Sequence, residues 1–236
     1  MTNEEKPTLA DFLKGKLFSS GLEIAVQQMP YMLRIDLLEQ LCEGKKVIHI
    51  GFADHKDLII KKIQNNMWLH GRILKKAKEC VGIDIDMEAV KFVKENLRIV
   101  DVYSLDVERD ELPSHVQSEK WDYVLLPEVL EHVDNPVSFL KTIKMKFTSI
   151  ADKIIVTVPN AFKFENFLNA MRDREAINSD HRYWFTVYTI AKVMTLSGIT
   201  MENFYLVNSY DNPAYHHITL KTPLFRDDIV IIGRFS

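Results

Sequence analysis

The chain has 236 residues, 47% of them hydrophobic and 27% charged, which suits one good-sized globular domain with appended segments. A formal charge of -3 excludes the basic footprint of a tight nucleic-acid binder. Two cysteines, Cys42 and Cys80, are too few for a disulfide framework or a thiolate metal site and suit a reducing cytoplasm. No apolar run approaches the roughly 18 residues of a membrane span, and the polar opening M-T-N-E-E-K-P lacks a signal-peptide core.

In chain order, residues 1–44 read as a helical cap. Leu9, Phe12 and Leu13, then Leu33, Leu37, Leu38 and Leu41, recur at three- and four-residue steps, and Gly44 stops the last helix. The first strand is K-V-I-H-I at 46–50, ended by Gly51, where a glycine lets the backbone approach a ligand closely. Asp54 is placed to N-cap a helix from His55 onward. A second helical pattern spans 68–78, interrupted by Gly71. Strands follow at 80–85 and 100–105, each ending in acid, with an amphipathic helix between them at 86–97. The segment 121–126 is the fourth strand and 136–147 a helix. The fifth strand, 153–158, is broken by Pro159 and Asn160. A helical insertion rich in aromatic and charged residues lies near 162–185, then a helix at 186–196. Final strands at 204–209 and 229–235 flank a loop, 210–226, expected near the site. Strands alternating with helices of ten or more residues predict an α/β fold: a Rossmann-like, mostly parallel sheet with helices on both faces and a last antiparallel pair.

Chemistry concentrates where strands end. Asp84 follows the second strand, where a carboxylate can accept from both hydroxyls of a ribose. Asp106 follows the third, where it can accept from an adenine amino group. After the fourth strand comes P-E-V-L-E-H-V-D-N-P, in which Glu128, Glu131 and His132 fall at i, i+3 and i+4. If a helix starts there, all three side chains share one face. Helix capping is the alternative for each acid taken singly, and their common register along a parallel sheet argues against it. The aromatic run Tyr183, Trp184 and Phe185 suits either sugar stacking or packing of the insertion. His216 and His217 are candidates for an acceptor pocket, whereas His70, in a helical stretch, reads as core or surface and His115 as a polar-loop residue without a role.

The stretches V-I-H-I-G (47–51), G-I-D-I-D (82–86), L-D-V (105–107), the 121–136 segment and I-I-V-T-V-P-N (154–160) together resemble the class I S-adenosylmethionine-dependent methyltransferases over residues 45–235. The resemblance implies a seven-stranded sheet with the last strand antiparallel. It puts Gly51 beside the methionine moiety, Asp84 on the ribose and Asp106 near the adenine, with Ile85, Val107 and Pro127 also at cofactor-contacting positions. The glycine loop departs from the family: His49 replaces the usual acid, and Ala53 and His55 replace the later glycines. This altered loop leaves open a degenerate fold acting as an assembly subunit. The loop also resembles a branch found in surface-polysaccharide gene clusters. E-x-x-E-H taken with D-H-R-Y-W-F-T (180–186) is similar to metal-dependent O-methyltransferases. That similarity implies that Glu128, Glu131, His132 and His181 hold a divalent cation, Mg²⁺, Mn²⁺ or Fe²⁺, against acceptor hydroxyls. The expected activity is O-methylation of a small-molecule or glycan hydroxyl, with Glu131 and His132 catalytic and no nucleic-acid partner. A metal-free O- or N-methyltransferase with His132 as general base is the other enzymatic reading.

Overall fold

A computed structural model describes residues 8–235. The opening heptapeptide, and with it the start of the expected cap, lies outside the described residues. Seven strands form one sheet: β1 (Lys46–Ile50), β2 (Glu79–Asp84), β3 (Val102–Ser104), β4 (Trp121–Pro127), β5 (Ala151–Pro159), β6 (Ile199–Val207) and β7 (Asp228–Phe235). Their order is β3-β2-β1-β4-β5-β7-β6. The first five run parallel, and β7 is antiparallel to both β5 and β6. This is the expected sheet.

The central strands are nearly continuous apolar runs because helices cover both of their faces. On one face the helix Pro136–Phe147 lays Phe139, Leu140, Ile143 and Phe147 on Ile48, Val124 and Ile154. On the other, Leu37, Leu38 and Cys42 of the helix Arg34–Cys42 pack with Val47, Ile73 and Ile155. Helix starts follow local chemistry. Asp86 caps the helix Met87–Leu97 by accepting from Ala89 N at 3.0 Å, and Asn135 accepts from Ser138 N at 3.0 Å ahead of Pro136.

Several expectations need correction. The N-terminal segment holds two helices, Leu9–Leu13 and Arg34–Cys42, but residues between them form neither helix nor strand beyond one bridge at Leu33. Asp54 does not cap the helix Lys56–Gln64; its carboxylate pairs with Lys62, and His55 occupies the cap position. Gly71 does not interrupt the helix Leu69–Lys76; the Trp68 ring packs over it, so that an added Cβ would lie 2.7 Å from Trp68 Cε3. The segment 210–226 contains a helix, His216–Lys221, and a 3₁₀ turn, Pro223–Phe225. Beyond that turn, Arg226 is fully buried and donates to the carbonyls of Thr219, Leu206, Pro30 and Met29 at 2.8–3.0 Å. Its guanidinium thus ties the N-terminal segment to the end of β6, with each of its three nitrogens donating to a carbonyl.

Candidate active site

The carboxyl ends of β1, β2 and β4 open onto one cleft of about 980 Å³. Parallel sheets place ligands there because the strand order reverses beside β1 and leaves a crevice between crossovers.

At the β1 side, Gly51 has φ +72°, and an added Cβ would lie 2.6 Å from Val129 Cγ2. Only glycine fits both demands. The next turn is anchored by Asp84, whose Oδ2 accepts from Ala53 N at 2.9 Å and whose Oδ1 accepts from Asp86 N at 3.0 Å. Burial raises the Asp84 carboxyl above its ordinary value, against the pull of those amides. Each oxygen keeps a lone pair for a further donor in the cleft. His55, Ile85, Val107 and Pro127 also line the cleft, so these expected cofactor positions surround one space. Asp106 does as well, but its Oδ1 accepts from Glu108 N at 2.9 Å, a turn-capping bond. His49 lines the cleft from a buried position, its Nδ1 3.2 Å from His70 Nδ1. Burial pushes both imidazoles down, His70 to about 3, so both are neutral.

The β4 side differs from the expected single helical face. Glu128 adopts φ +52° and the chain then makes a 3₁₀ turn, Leu130–His132. The three side chains therefore diverge. Glu131 is fully buried, and neither carboxylate oxygen has a hydrogen-bond partner among the described residues. Burial raises its carboxyl to about 9, reinforced by the nearby Glu128 charge. His132 Nε2 lies 3.9 Å from Glu131 Oε1, and His181 Nε2 lies 4.0 Å from the same oxygen. One potential ligating atom from each of the three residues lies within 4.8 Å of the others.

His181 arrives from the insertion through a dense set of contacts. Arg182 N donates to Glu131 O at 2.7 Å, its guanidinium reaches His132 O and Asp134, and Tyr183 OH donates to Asp134 O at 2.7 Å. Tyr183 is thus a strut, Phe185 is core, and Trp184 sits under Lys163 with its edge to His181. None of the three lines the cleft. The His132 Nδ1 lies 3.2 Å from Asp180 O, so it bears the proton and leaves Nε2 with a free lone pair. Burial, with the His132 imidazole beside it, lowers the His181 basicity.

Glu128 stands apart from that cluster. Its Oε1 accepts from Thr157 Oγ1 at 2.8 Å and pairs with Arg34 Nη1 at 2.9 Å. Arg34 also reaches Asp228 Oδ2 at 3.4 Å, which in turn accepts from Ser209 Oγ at 2.5 Å. Burial raises the Asp228 carboxyl to about 7 despite the guanidinium. Sequence reasoning missed Arg34, Asp228, Ser209 and Tyr210; Arg34, Ser209 and Tyr210 line the cleft. His216 pairs with Asp211 at 2.6 Å and packs on Tyr31 instead, and neither it nor His217 lines the cleft.

Among known proteins, residues 66–145 match a methyltransferase domain family. No curated protein matches the sequence. Solved structures share the fold. The small RNA methyltransferase HEN1 superposes with a TM-score of 0.55 at 17% identity, over 93% of this chain and 27% of that one. Magnesium protoporphyrin IX methyltransferase from Synechocystis PCC 6803 with bound SAH gives 0.52 at 13% identity, over 86% and 82%. An S-adenosylmethionine-dependent methyltransferase from Mesorhizobium loti gives 0.51 at 13%, over 84% and 96%. At such identities the likeness is one of fold.

Proposed function

We propose that the chain is a class I S-adenosylmethionine-dependent methyltransferase, a reading its matched domain and fold support, and that it methylates a hydroxyl of a sugar or glycan with the help of a divalent cation. The observation that carries this reading is Glu131. A buried carboxylate with two unpartnered oxygens, flanked by two imidazoles, is costly unless something positive sits on it. Mixed oxygen and nitrogen donors suit Mg²⁺, Mn²⁺ or Fe²⁺. Glu131, His132 and His181 would hold that ion, which when bound lowers the pKa of a coordinated hydroxyl and orients it. The His132 tautomer set by Asp180 O is the ligating one.

The other half of the cleft suits the methyl donor, with Asp84 for the ribose diol, Ile85 and Val107 against the adenine, and the Gly51–Ala53 turn beside the methionine end. The donor brings an already activated methyl group, so the protein's task reduces to aligning the acceptor oxygen and relieving it of its proton. The acceptor side argues for a neutral polyol. Eight carboxylates line the cleft against two permanent cations, and both cations are spoken for: Arg34 by Glu128 and Asp228, Lys62 by Asp54. A polyanionic acceptor would meet net repulsion. A surface polysaccharide precursor fits that chemistry and the branch resemblance of the H-I-G-F-A-D-H loop.

The test is methyl transfer from the donor to a panel of neutral sugars by metal-stripped protein, with and without added Mn²⁺. Activity that appears only with the ion supports the cation. Equal activity without it favours His132 Nε2, freed by the same Asp180 contact, as a general base. No binding of S-adenosylhomocysteine by the folded protein would overturn the enzyme reading altogether.

A further inference from the structure

Glu128 is close to Glu131 in sequence and in the cleft, yet it is built differently. Its φ of +52° is a left-handed conformation that is costly for a residue with a side chain. That backbone persists because both ends of the residue are tied. Its N–H donates to Thr157 O at 3.0 Å, and its Oε1 is shared by Thr157 Oγ1 and Arg34 Nη1. Arg34 is itself fixed from the N-terminal segment: its N–H donates to Asn208 O at 2.8 Å, and Asn208 N returns a bond to Met32 O at 3.1 Å. The second carboxylate oxygen, Oε2, has no hydrogen-bond or ion-pair partner among the described residues, and Glu128 lines the cleft. A cation taking Oε1 would have to displace a charge-assisted bond and sit against a guanidinium, which is unfavourable twice over.

We propose that Glu128 binds the acceptor rather than the cation: the ion rests on Glu131, His132 and His181 alone, while Glu128 Oε2 accepts from the neighbouring hydroxyl of a vicinal diol. Arg34 is the positioning residue that holds Oε1 and so aims Oε2. The substrate class that follows is a molecule with two adjacent hydroxyls, one directed to the cation cluster and one to Glu128. This inference rests on the divalent-cation reading above.

The experiment uses Mn²⁺ alone, followed by electron paramagnetic resonance on the full-length protein, then glycerol as the smallest vicinal diol, followed by water-proton relaxation of the Mn²⁺-loaded protein. Glu131→Ala should weaken Mn²⁺ by about 100-fold or more, whereas Glu128→Gln should weaken it by no more than about tenfold, the effect of one lost nearby charge. Glycerol should alter the relaxation of the parent protein, and Glu128→Gln and Arg34→Met should blunt that response, with Arg34→Lys restoring part of it. Far-ultraviolet circular dichroism confirms that each variant is folded. A Glu128→Gln loss as large as that of Glu131→Ala makes Glu128 a ligand and overturns the inference while leaving the cation reading intact. So does a glycerol response absent from the parent or unchanged in Glu128→Gln. No Mn²⁺ binding by the parent overturns both.

Discussion

Two pairs of touching histidines stand in this domain, and they differ in what surrounds them. His49 and His70 lie with ring centroids 5.3 Å apart, both buried, among Phe52, Trp68 and the Cys80 thiol, whose Sγ is 3.8 Å from His70 Nδ1. His132 and His181 lie 4.7 Å apart, edge to face, at the wall of the cleft, with the Glu131 carboxylate within 4.0 Å of both. Burial keeps the first pair neutral. The second combines imidazole nitrogens with an unpartnered carboxyl group and a carbonyl that fixes one tautomer. Imidazole proximity alone therefore says little. A carboxylate with no protein partner is what separates a candidate cation site from a packed interior pair.

The largest expected effect breaks the chemical pair. Glu131→Ala should reduce methyl transfer by at least about 1,000-fold, on the scale of losing a principal electrostatic element. S-adenosylhomocysteine binding, measured by calorimetry, should stay within about threefold, because the donor half of the cleft is untouched. Loss of donor binding along with activity would mean that Glu131 organises the whole cleft. Next in size is Asp84→Ala. Losing a charged acceptor for the ribose diol, and the anchor of Ala53 N, should weaken S-adenosylhomocysteine by about 2–3 kcal/mol. Unchanged affinity would remove Asp84 from the donor site.

These predictions also mark what the sequence made legible. Asp84 was readable because an acid at the end of a parallel strand has few places to go, and the bounds of β1 and of the helix Pro136–Phe147 followed from apolar runs punctuated by Gly51 and by Asn135-Pro136. The cluster of Glu131, His132 and His181 was readable from motif residues, although His132 and His181 are 49 positions apart. The geometry around Glu128 was not. Spacing of i, i+3 and i+4 presumes a helix, and the turn is instead set by a left-handed residue whose anchor, Arg34, comes from a segment 94 residues earlier. Asp228 and Ser209 were hidden for the same reason: Asp228 meets Arg34 and Ser209 because β7 lies antiparallel beside β5. Periodicity reports faces of elements and is silent on long-range ion pairs.

A third change sits between the two histidine pairs. Gly51→Ala forces a Cβ to 2.6 Å from Val129 Cγ2 at a residue with φ +72°, so it should cost about 1–3 kcal/mol of stability in a denaturant titration. Because Val129 separates Glu128 from the turn that bears Glu131, Mn²⁺ affinity should fall as well. A stable variant with full Mn²⁺ affinity would show that the two sides of the cleft are uncoupled.

The smallest effect sharpens the comparison from the side of the inert pair, through pH. His70 has its folded-state pKa pushed down to about 3 from an ordinary 6.5. Above pH 6.5 neither folded nor unfolded chain protonates it, and its contribution to stability is fully present. As pH falls below 6.5 the unfolded chain takes up the proton and the folded chain does not, so stability is lost progressively toward pH 3. Each pH unit in that window costs about 1.4 kcal/mol per such group. Glu131 acts in the opposite sense. Its raised pKa, about 9, means that stability is lost as pH rises from 4.5 toward 9, so the parent protein's own profile mixes the two slopes. The variant His70→Leu separates them, since Glu131 titrates identically in variant and parent. Urea titrations at pH 6.5 and 5.5 should show the variant losing about 1 kcal/mol less than the parent over that step. Equal losses would mean that His70 is already protonated or solvated in the folded protein, and that the two histidine pairs are less different than their surroundings make them.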